Sequence, residues 1–133
     1  NIYMPRIVSE NELKFNLFKE DETLKKNKYG IDELINEDYI NPKVLNTMFI
    51  PFVGIDKNGH RLGYGGGFFD KTLEQLKSQK CRPLFVGLGY DYQILEERFG
   101  ESHDIKYDLV ITESRVLSYD WAIKCSPKHE NNR

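Results

Sequence analysis

Residues 45–70, LNTMFIPFVGIDKNGHRLGYGGGFFD, determine the predicted fold. They are interpreted in order as a strand, a turn, a glycine-rich loop and the start of a helix. Residues 45–53 are the most continuously apolar segment, with β-branched and aromatic side chains, which predicts a central strand buried on both faces. Residues 56–59, DKNG, are a turn signature. Apolar residues then recur at helical spacing across 68–80. The stretch therefore predicts a strand–loop–helix unit.

The flanking sequence repeats this alternation of strands and helices. Predicted strands lie at residues 2–4, 13–18, 83–90 and 108–112, and a short helix is predicted at 94–99. Parallel strands need crossover connections, so the pattern indicates an α/β domain with a mostly parallel open sheet in a three-layer α/β/α arrangement. We expect one domain over residues 1–125, followed by a polar tail at 126–133.

Composition excludes several classes of function. The chain has 133 residues, 39% hydrophobic and 13% aromatic, enough for one folded domain. Its net charge is −2 without a basic stripe, which argues against nucleic-acid binding. Every apolar run falls short of the roughly 18 residues of a membrane helix. Cys81 and Cys125 lie far apart and signal neither a disulfide framework nor zinc, so we expect a reducing, cytoplasmic location. We also expect a monomer.

Residues 61–70, RLGYGGGFFD, are the strongest chemical signal. Glycines let successive backbone N–H groups surround an anion, and the helix that follows adds its positive end. Arg61 could pair with a phosphate, and Asp70 could hold Mg²⁺. The plain alternative is a flexible turn in which Asp70 starts the helix. A dinucleotide fingerprint is excluded because Phe68 stands where Gly or Ala is required, and a Walker A loop because Asp70 stands where Gly is required.

Residues 51–56 and 59–70, PFVGID and GHRLGYGGGFFD, closely resemble the signature of the 5-formyltetrahydrofolate cyclo-ligase family, also called methenyltetrahydrofolate synthetases. Met4-Pro5-Arg6, Ser102-His103-Asp104 and residues 108–113 extend the resemblance. It implies the C-terminal two-thirds of that family's fold and a ligase that forms a C–N bond. The implied reaction is ATP- and Mg²⁺-dependent closure of 5-formyltetrahydrofolate to 5,10-methenyltetrahydrofolate.

The resemblance also implies roles for individual residues. Arg61 and Tyr64 would be catalytic, and Asp70 and Asp104 would be the magnesium carboxylates. The nucleotide would contact Arg61, Leu62, Gly63, Tyr64, Gly65, Gly66, Gly67, Phe68 and Phe69. The folate would contact Tyr64, Gly65, Gly66, Gly67 and Phe68. In phosphoryl transfer such residues align the reacting groups and neutralise charge, and they need not act as acids or bases.

The sequence departs from the family pattern at several points. Phe68-Phe69 replaces a pair that is often Tyr-Tyr, which removes phenolic hydrogen bonds, and Leu34 stands where proline is usual. Nothing matches the family's N-terminal helical region, with its basic cluster for ATP and its glutamate near the folate. We therefore expect residues 2–4 to lie inside or beside the core, and a further segment, preceding the chain or supplied by a partner, to cover them.

Two other functions stay open. The chain could bind a folate or nucleotide without turnover, or it could be another phosphate-handling enzyme on a similar sheet, such as a sugar-phosphate isomerase. Single side chains carry weaker signals. His103 is expected to be an ordinary surface residue, and Tyr90, Tyr92 and Tyr107 are expected to be packing residues rather than stacking platforms.

Overall fold

The computed structural model describes residues 1–9, 12–62, 68–98 and 105–119. One α-helix, α1 (Phe68–Lys77), lies in this part of the chain. Short 3₁₀ turns occupy Pro42–Val44 and Asp91–Gln93. The strands are β1 (Tyr3–Ser9), β2 (Glu12–Leu17), β3 (Lys25–Lys26), β4 (Asp32–Glu33), β5 (Tyr39–Ile40), β6 (Thr47–Pro51), β7 (Gly54–Ile55), β8 (Arg61–Leu62), β9 (Leu84–Leu88), β10 (Leu109–Ile111) and β11 (Val116–Ser118).

The main sheet has four strands in the order β11-β10-β9-β6. β6 pairs with β9 and β9 with β10 in parallel, whereas β10 and β11 are antiparallel. The strands predicted within 45–53, 83–90 and 108–112 are thus confirmed, and the sheet is mostly parallel. The prediction that 45–53 is central is wrong for the described residues, where β6 lies at the edge of this sheet.

The two faces of the main sheet differ in burial. Met48, Ile50 and Phe85 belong to one hydrophobic core with Leu73 and Leu76 of α1. On the opposite face Phe49 is 60% exposed, and Leu88, Ile111 and Val116 are exposed as well. Among the described residues a helical layer therefore covers one face, not the two that a three-layer arrangement requires. An apolar run does not predict this difference, because it supplies apolar side chains to both faces alike.

The N-terminal strands form a second sheet, which is antiparallel and has the order β1-β2-β5. Strands at 2–4 and 13–18 were predicted, and β1 and β2 confirm them with shifted bounds. Tyr3 packs against the core. Ile2, however, is 68% exposed, so the prediction that residues 2–4 lie inside or beside the core is wrong for this side chain.

The helix predicted at 94–99 is absent from the residues of that range that the structure describes, 94–98. The Asp91–Gln93 turn precedes this range, and the backbone then runs beside β7, where the Leu95 N–H donates to the Ile55 carbonyl at 2.9 Å. Pairing with β7 satisfies this backbone without a helix. Within the described residues no helix is long and apolar enough to cross a membrane. The polar tail at 126–133 lies outside the described residues.

Cys81, which follows α1, is disulfide-bonded. Its partner lies outside the described residues. The wide separation of the two cysteines gave no signal of a disulfide framework, but spatial geometry, not distance along the chain, decides whether two cysteines can be bridged. The disulfide removes the cysteine argument for a reducing compartment, and a cytoplasmic location stays a prediction.

Candidate functional site

The glycine-rich stretch is approached through a hairpin formed by β7 and β8, whose registered pairs are Gly54 with Leu62 and Ile55 with Arg61. Its turn is held by Asp56, a fully buried side chain whose Oδ1 accepts hydrogen bonds from the backbone N–H groups of Asn58 and His60. Gly59 has a φ of +91°, which favours glycine. The turn predicted at 56–59 is therefore confirmed.

A histidine–aspartate pair lies in this same turn. His60 Nδ1 is 3.2 Å from Asp56 Oδ2, and both side chains are buried. The ring of Tyr119 covers Gly59, where an added Cβ would lie 2.8 Å from it. Burial, and then the charge of Asp56, raise the pKa of Tyr119 above its ordinary 10.0. The sequence revealed the turn but not this pair, which depends on burial.

Arg61 and Asp70 form an ion pair at the foot of the glycine-rich stretch. Arg61 Nη1 donates to Asp70 Oδ1 at 2.9 Å. The Arg61 side chain is 2% exposed and that of Asp70 33%. A buried guanidinium needs such a partner, because an uncompensated charge in the interior is costly. Asp70 also lies in the first turn of α1, where a carboxylate is favoured by the helix dipole.

Several residues that the sequence singled out lie outside the described residues: Gly63, Tyr64, Gly65, Gly66, Gly67, Ser102, His103 and Asp104. Their flanking residues converge on Arg61. The glycine-rich stretch connects Leu62 of β8 to α1. Ile105, which directly follows Asp104, accepts the Arg61 N–H through its carbonyl at 3.1 Å. Leu62 is exposed, and Phe69 packs against the core.

This hairpin follows the carboxyl end of the parallel strand β6. Pro51 of β6 is in register with Leu88 of β9, and Leu88 with Ile111 of β10, so these three strands end together. The Tyr107 hydroxyl donates to the Pro51 carbonyl at 3.2 Å and links the segment after Ile105 to this edge. In open α/β sheets, ligands bind beyond the carboxyl ends of the strands. The candidate site therefore lies at the usual edge.

A second group of polar side chains closes the same edge. Asp91 accepts hydrogen bonds from the hydroxyls of Thr112 and Ser114, and its own N–H donates to Glu113 Oε1 at 2.7 Å. The hydrogen bonds from Ser114 and Thr112 are the main reason that the pKa of Asp91 is lowered. The sequence analysis missed this group, since its members are separated by some twenty residues.

The opposite edge of the sheet carries a structural ion pair. Arg82 donates from both terminal nitrogens to the two Asp108 oxygens, at 2.8 and 2.7 Å. Asp108 is buried and also accepts the Phe85 N–H at 2.7 Å. Because Asp108 immediately precedes β10, this pair joins the amino ends of β9 and β10, away from the candidate site.

Asp70 is the residue of the predicted magnesium pair that the structure describes. The described part of the chain contains no cluster of three or more His, Cys, Asp or Glu residues. One Asp70 oxygen is bonded to Arg61, and the structure gives the other no hydrogen-bond donor among the described residues. Carboxylate oxygens are ligands that Mg²⁺ accepts, together with phosphate oxygens and water. Asp70 could thus supply one carboxylate ligand to a magnesium ion whose other ligands come from elsewhere.

A groove of about 660 Å³ lies between β2, β5 and α1, apart from the Arg61–Asp70 pair. Lys14, Tyr39, Lys43 and Gln75 are among its lining residues, and Lys14 Nζ lies 4.7 Å from the centre of the Tyr39 ring. None of the site residues that the sequence singled out lines it.

Comparison with known proteins gives consistent matches. The profile of the 5-formyltetrahydrofolate cyclo-ligase family matches residues 1–113. The 5-formyltetrahydrofolate cyclo-ligase of Haemophilus influenzae is 34% identical over 116 residues, covering 84% of this chain and 61% of that protein. The Escherichia coli K12 enzyme is 39% identical over 77 residues, covering 58% of this chain and 40% of the enzyme. The chain thus spans about three-fifths or less of these relatives.

Solved structures give the same result. The NMR structure of the Aquifex aeolicus 5,10-methenyltetrahydrofolate synthetase superposes with a TM-score of 0.75 at 25% identity, covering 98% of this chain and 63% of that one. The Mycoplasma pneumoniae synthetase gives a TM-score of 0.56 at 25% identity, with 84% and 56% covered. The fold found here is therefore similar to part of these larger chains.

Proposed function

This chain belongs to the 5-formyltetrahydrofolate cyclo-ligase family, and we propose that the sheet edge around Arg61 and Asp70 carries out the reaction named by that family. The reaction is ATP- and Mg²⁺-dependent closure of 5-formyltetrahydrofolate to 5,10-methenyltetrahydrofolate, with release of ADP and phosphate. The observation that supports it most is the ion pair between the buried Arg61 and the partly exposed Asp70, because it brings together the two charged residues that the resemblance assigns to phosphate and metal.

The chemistry asks for one phosphoryl transfer and one ring closure. The formyl oxygen attacks the γ-phosphorus of ATP and ADP leaves, after which N10 attacks the formyl carbon, gives up its proton to solvent, and phosphate leaves. The negative charge that builds up on the phosphoryl oxygens is what the protein must stabilise. Arg61 is suited to this, since its guanidinium fork matches two phosphate oxygens and its burial excludes competing water.

The pairing of Arg61 with Asp70 has a role in this scheme. Without nucleotide, each side chain compensates the charge of the other. When a triphosphate arrives, Arg61 exchanges the Asp70 carboxylate for phosphate oxygens, which frees both oxygens of Asp70. Neither charge is left uncompensated, because Asp70 and, by resemblance, Asp104 would then hold Mg²⁺. When bound, the metal would supply positive charge to the β- and γ-phosphate oxygens.

Isothermal titration with a non-hydrolysable ATP analogue and Mg²⁺ tests the central contact. Arg61→Gln should weaken binding by roughly 10- to 150-fold, the range for a charge-assisted hydrogen bond of about 1.5–3 kcal/mol. Arg98→Gln is the control, because it removes a guanidinium whose side chain is exposed rather than buried. Equal affinities for the wild type and both variants would contradict the assignment of Arg61. Tight binding of analogue and folate without product would favour a binding protein instead.

A further inference from the structure

Two tyrosines at the candidate site are exposed and stacked on each other. Tyr90 is 57% exposed and Tyr92 is 78% exposed. Their ring centres are 5.9 Å apart and their planes differ by 10°, which is an offset stack. Tyr107, by contrast, is fully buried. The packing role that the sequence predicted for all three tyrosines therefore holds for Tyr107 and is wrong for the other two.

The ring pair lies at the edge that carries Arg61. Tyr90 comes two residues after the carboxyl end of β9, and Tyr92 lies in the Asp91–Gln93 turn. A Cβ added to Gly54 would be 3.5 Å from the Gln93 carbonyl oxygen and 3.6 Å from the side chain of Leu62. Leu62 immediately precedes the glycine-rich stretch. The turn that carries the rings therefore lies beside Gly54 and Leu62, at the start of the glycine-rich stretch.

The turn that carries the rings is fixed on both sides. Gln93 accepts the Tyr90 N–H at 2.8 Å through Oε1 and donates to the Phe52 carbonyl at 2.9 Å through Nε2. The Asp91 side chain is held by Thr112 and Ser114. A platform that is ordered before binding costs less conformational entropy when a ligand stacks on it. Two exposed aromatic rings on a fixed turn contribute little to the core but are suited to a planar ligand.

We propose that the Tyr90–Tyr92 pair is the stacking platform for the purine base of the nucleotide whose phosphates meet Arg61. The inference rests on the proposed function and extends it to base recognition. Tyr92, the more exposed ring, would present its free face to the base. Stacking on an aromatic side chain tolerates different purines, because every base has a π face. The platform would strengthen nucleotide binding without selecting strongly between ATP and GTP.

Calorimetric titration of the Tyr92→Ala protein with two ligands tests the proposal. A non-hydrolysable ATP analogue should bind about 5- to 150-fold more weakly than to the wild type, the range that base stacking supplies. Inorganic triphosphate, which has no base, should bind unchanged. Tyr92→Phe should restore the affinity for the analogue, since it keeps the ring. Tyr29→Ala is the control, because Tyr29 is also exposed but lies in the turn between β3 and β4.

Three results would overturn the platform. One is unchanged affinity for the analogue in Tyr92→Ala. Another is an equal loss for analogue and triphosphate, which would mean that the substitution disturbs the phosphate loop. The third is a loss confined to the reduced folate, which would assign the rings to a pterin. A wild type that binds neither analogue nor triphosphate would instead overturn the proposed function itself. Circular dichroism of each variant verifies the fold.

Discussion

For Arg61 and Asp70, the sequence predicts the chemistry of each side chain but not the contact between them. The glycine-rich signature identified both as chemical groups from their types and spacing, but not as partners of each other. Pairing depends on burial: Arg61 is enclosed when β8 packs against Ile105, and Asp70 reaches it from the first turn of α1. The same limit applies to Asp56 and His60, which the sequence marked only as part of a turn.

The ion pair changes the expected effect of removing Asp70. The sequence alone, which places Asp70 at a solvent-open site, predicts that Asp70→Ala abolishes metal-dependent turnover and leaves folding largely intact. In the structure the substitution leaves the buried Arg61 without this carboxylate. We therefore expect a loss of about 1–3 kcal/mol in the free energy of unfolding, a range that allows for the partial exposure of Asp70.

Urea denaturation measures this loss. The matched control is Asp32→Ala, which breaks the exposed Lys26–Asp32 pair and should cost under about 1 kcal/mol. Similar losses in the two variants would mean that the Arg61–Asp70 pair is no more important to the fold than a surface pair.

Tyr119 predicts a pH dependence on the alkaline side. Its pKa is raised in the folded state by burial and by Asp56, so the folded protein holds this proton more tightly than the unfolded chain. The resulting stability is fully present below pH 10 and is lost as the pH rises through the raised value. Tyr119→Phe should therefore weaken the fall in unfolding free energy above pH 10 relative to the wild type. Identical alkaline profiles would contradict this environment.

At the scale of elements, the alternation of strands and helices and the apolar runs predicted where strands form, but not which strands pair with each other. β6, β9 and β10 fall within predicted segments, because β-branched and aromatic runs bounded by turn residues are a local signal. The edge position of β6 and the pairing of residues 94–95 with β7 are not local, since they depend on which segments meet in space. The segment with helical spacing, residues 94–99, is too short to favour a helix over that pairing.

Two neighbours on β6 test the difference between the faces of the sheet. Ile50 is fully buried against the core, whereas Phe49 points to the opposite face and is largely exposed. Ile50→Ala should lower the unfolding free energy by about 2–5 kcal/mol, and Phe49→Ala by under about 1 kcal/mol. Chemical denaturation of both variants measures the contrast. Equal losses would show that the Phe49 face is covered in the folded protein.

At the scale of the whole molecule, the α/β class of the fold was predicted from the sequence, but the number of helical layers needed correction. The motif at 51–70 identified the family, and the similarity to the Aquifex aeolicus synthetase agrees with it. The second helical layer of the predicted arrangement is not found among the described residues. Parallel sheets are usually covered on both faces, but which segment covers each face is a property of the tertiary structure that local patterns do not encode.

The measurement that most directly tests the account is ATP-dependent formation of 5,10-methenyltetrahydrofolate from 5-formyltetrahydrofolate, followed by product absorbance together with ADP release. The wild type should form product and ADP in equal amounts, only when Mg²⁺ and ATP are both present. Arg61→Lys should lower kcat by about 10²- to 10³-fold, the cost of losing one preorganised charge-stabilising group, while Arg98→Gln should match the wild type. ADP release without ring closure, or an Arg61→Lys protein as active as the wild type, would contradict the proposed role of this site.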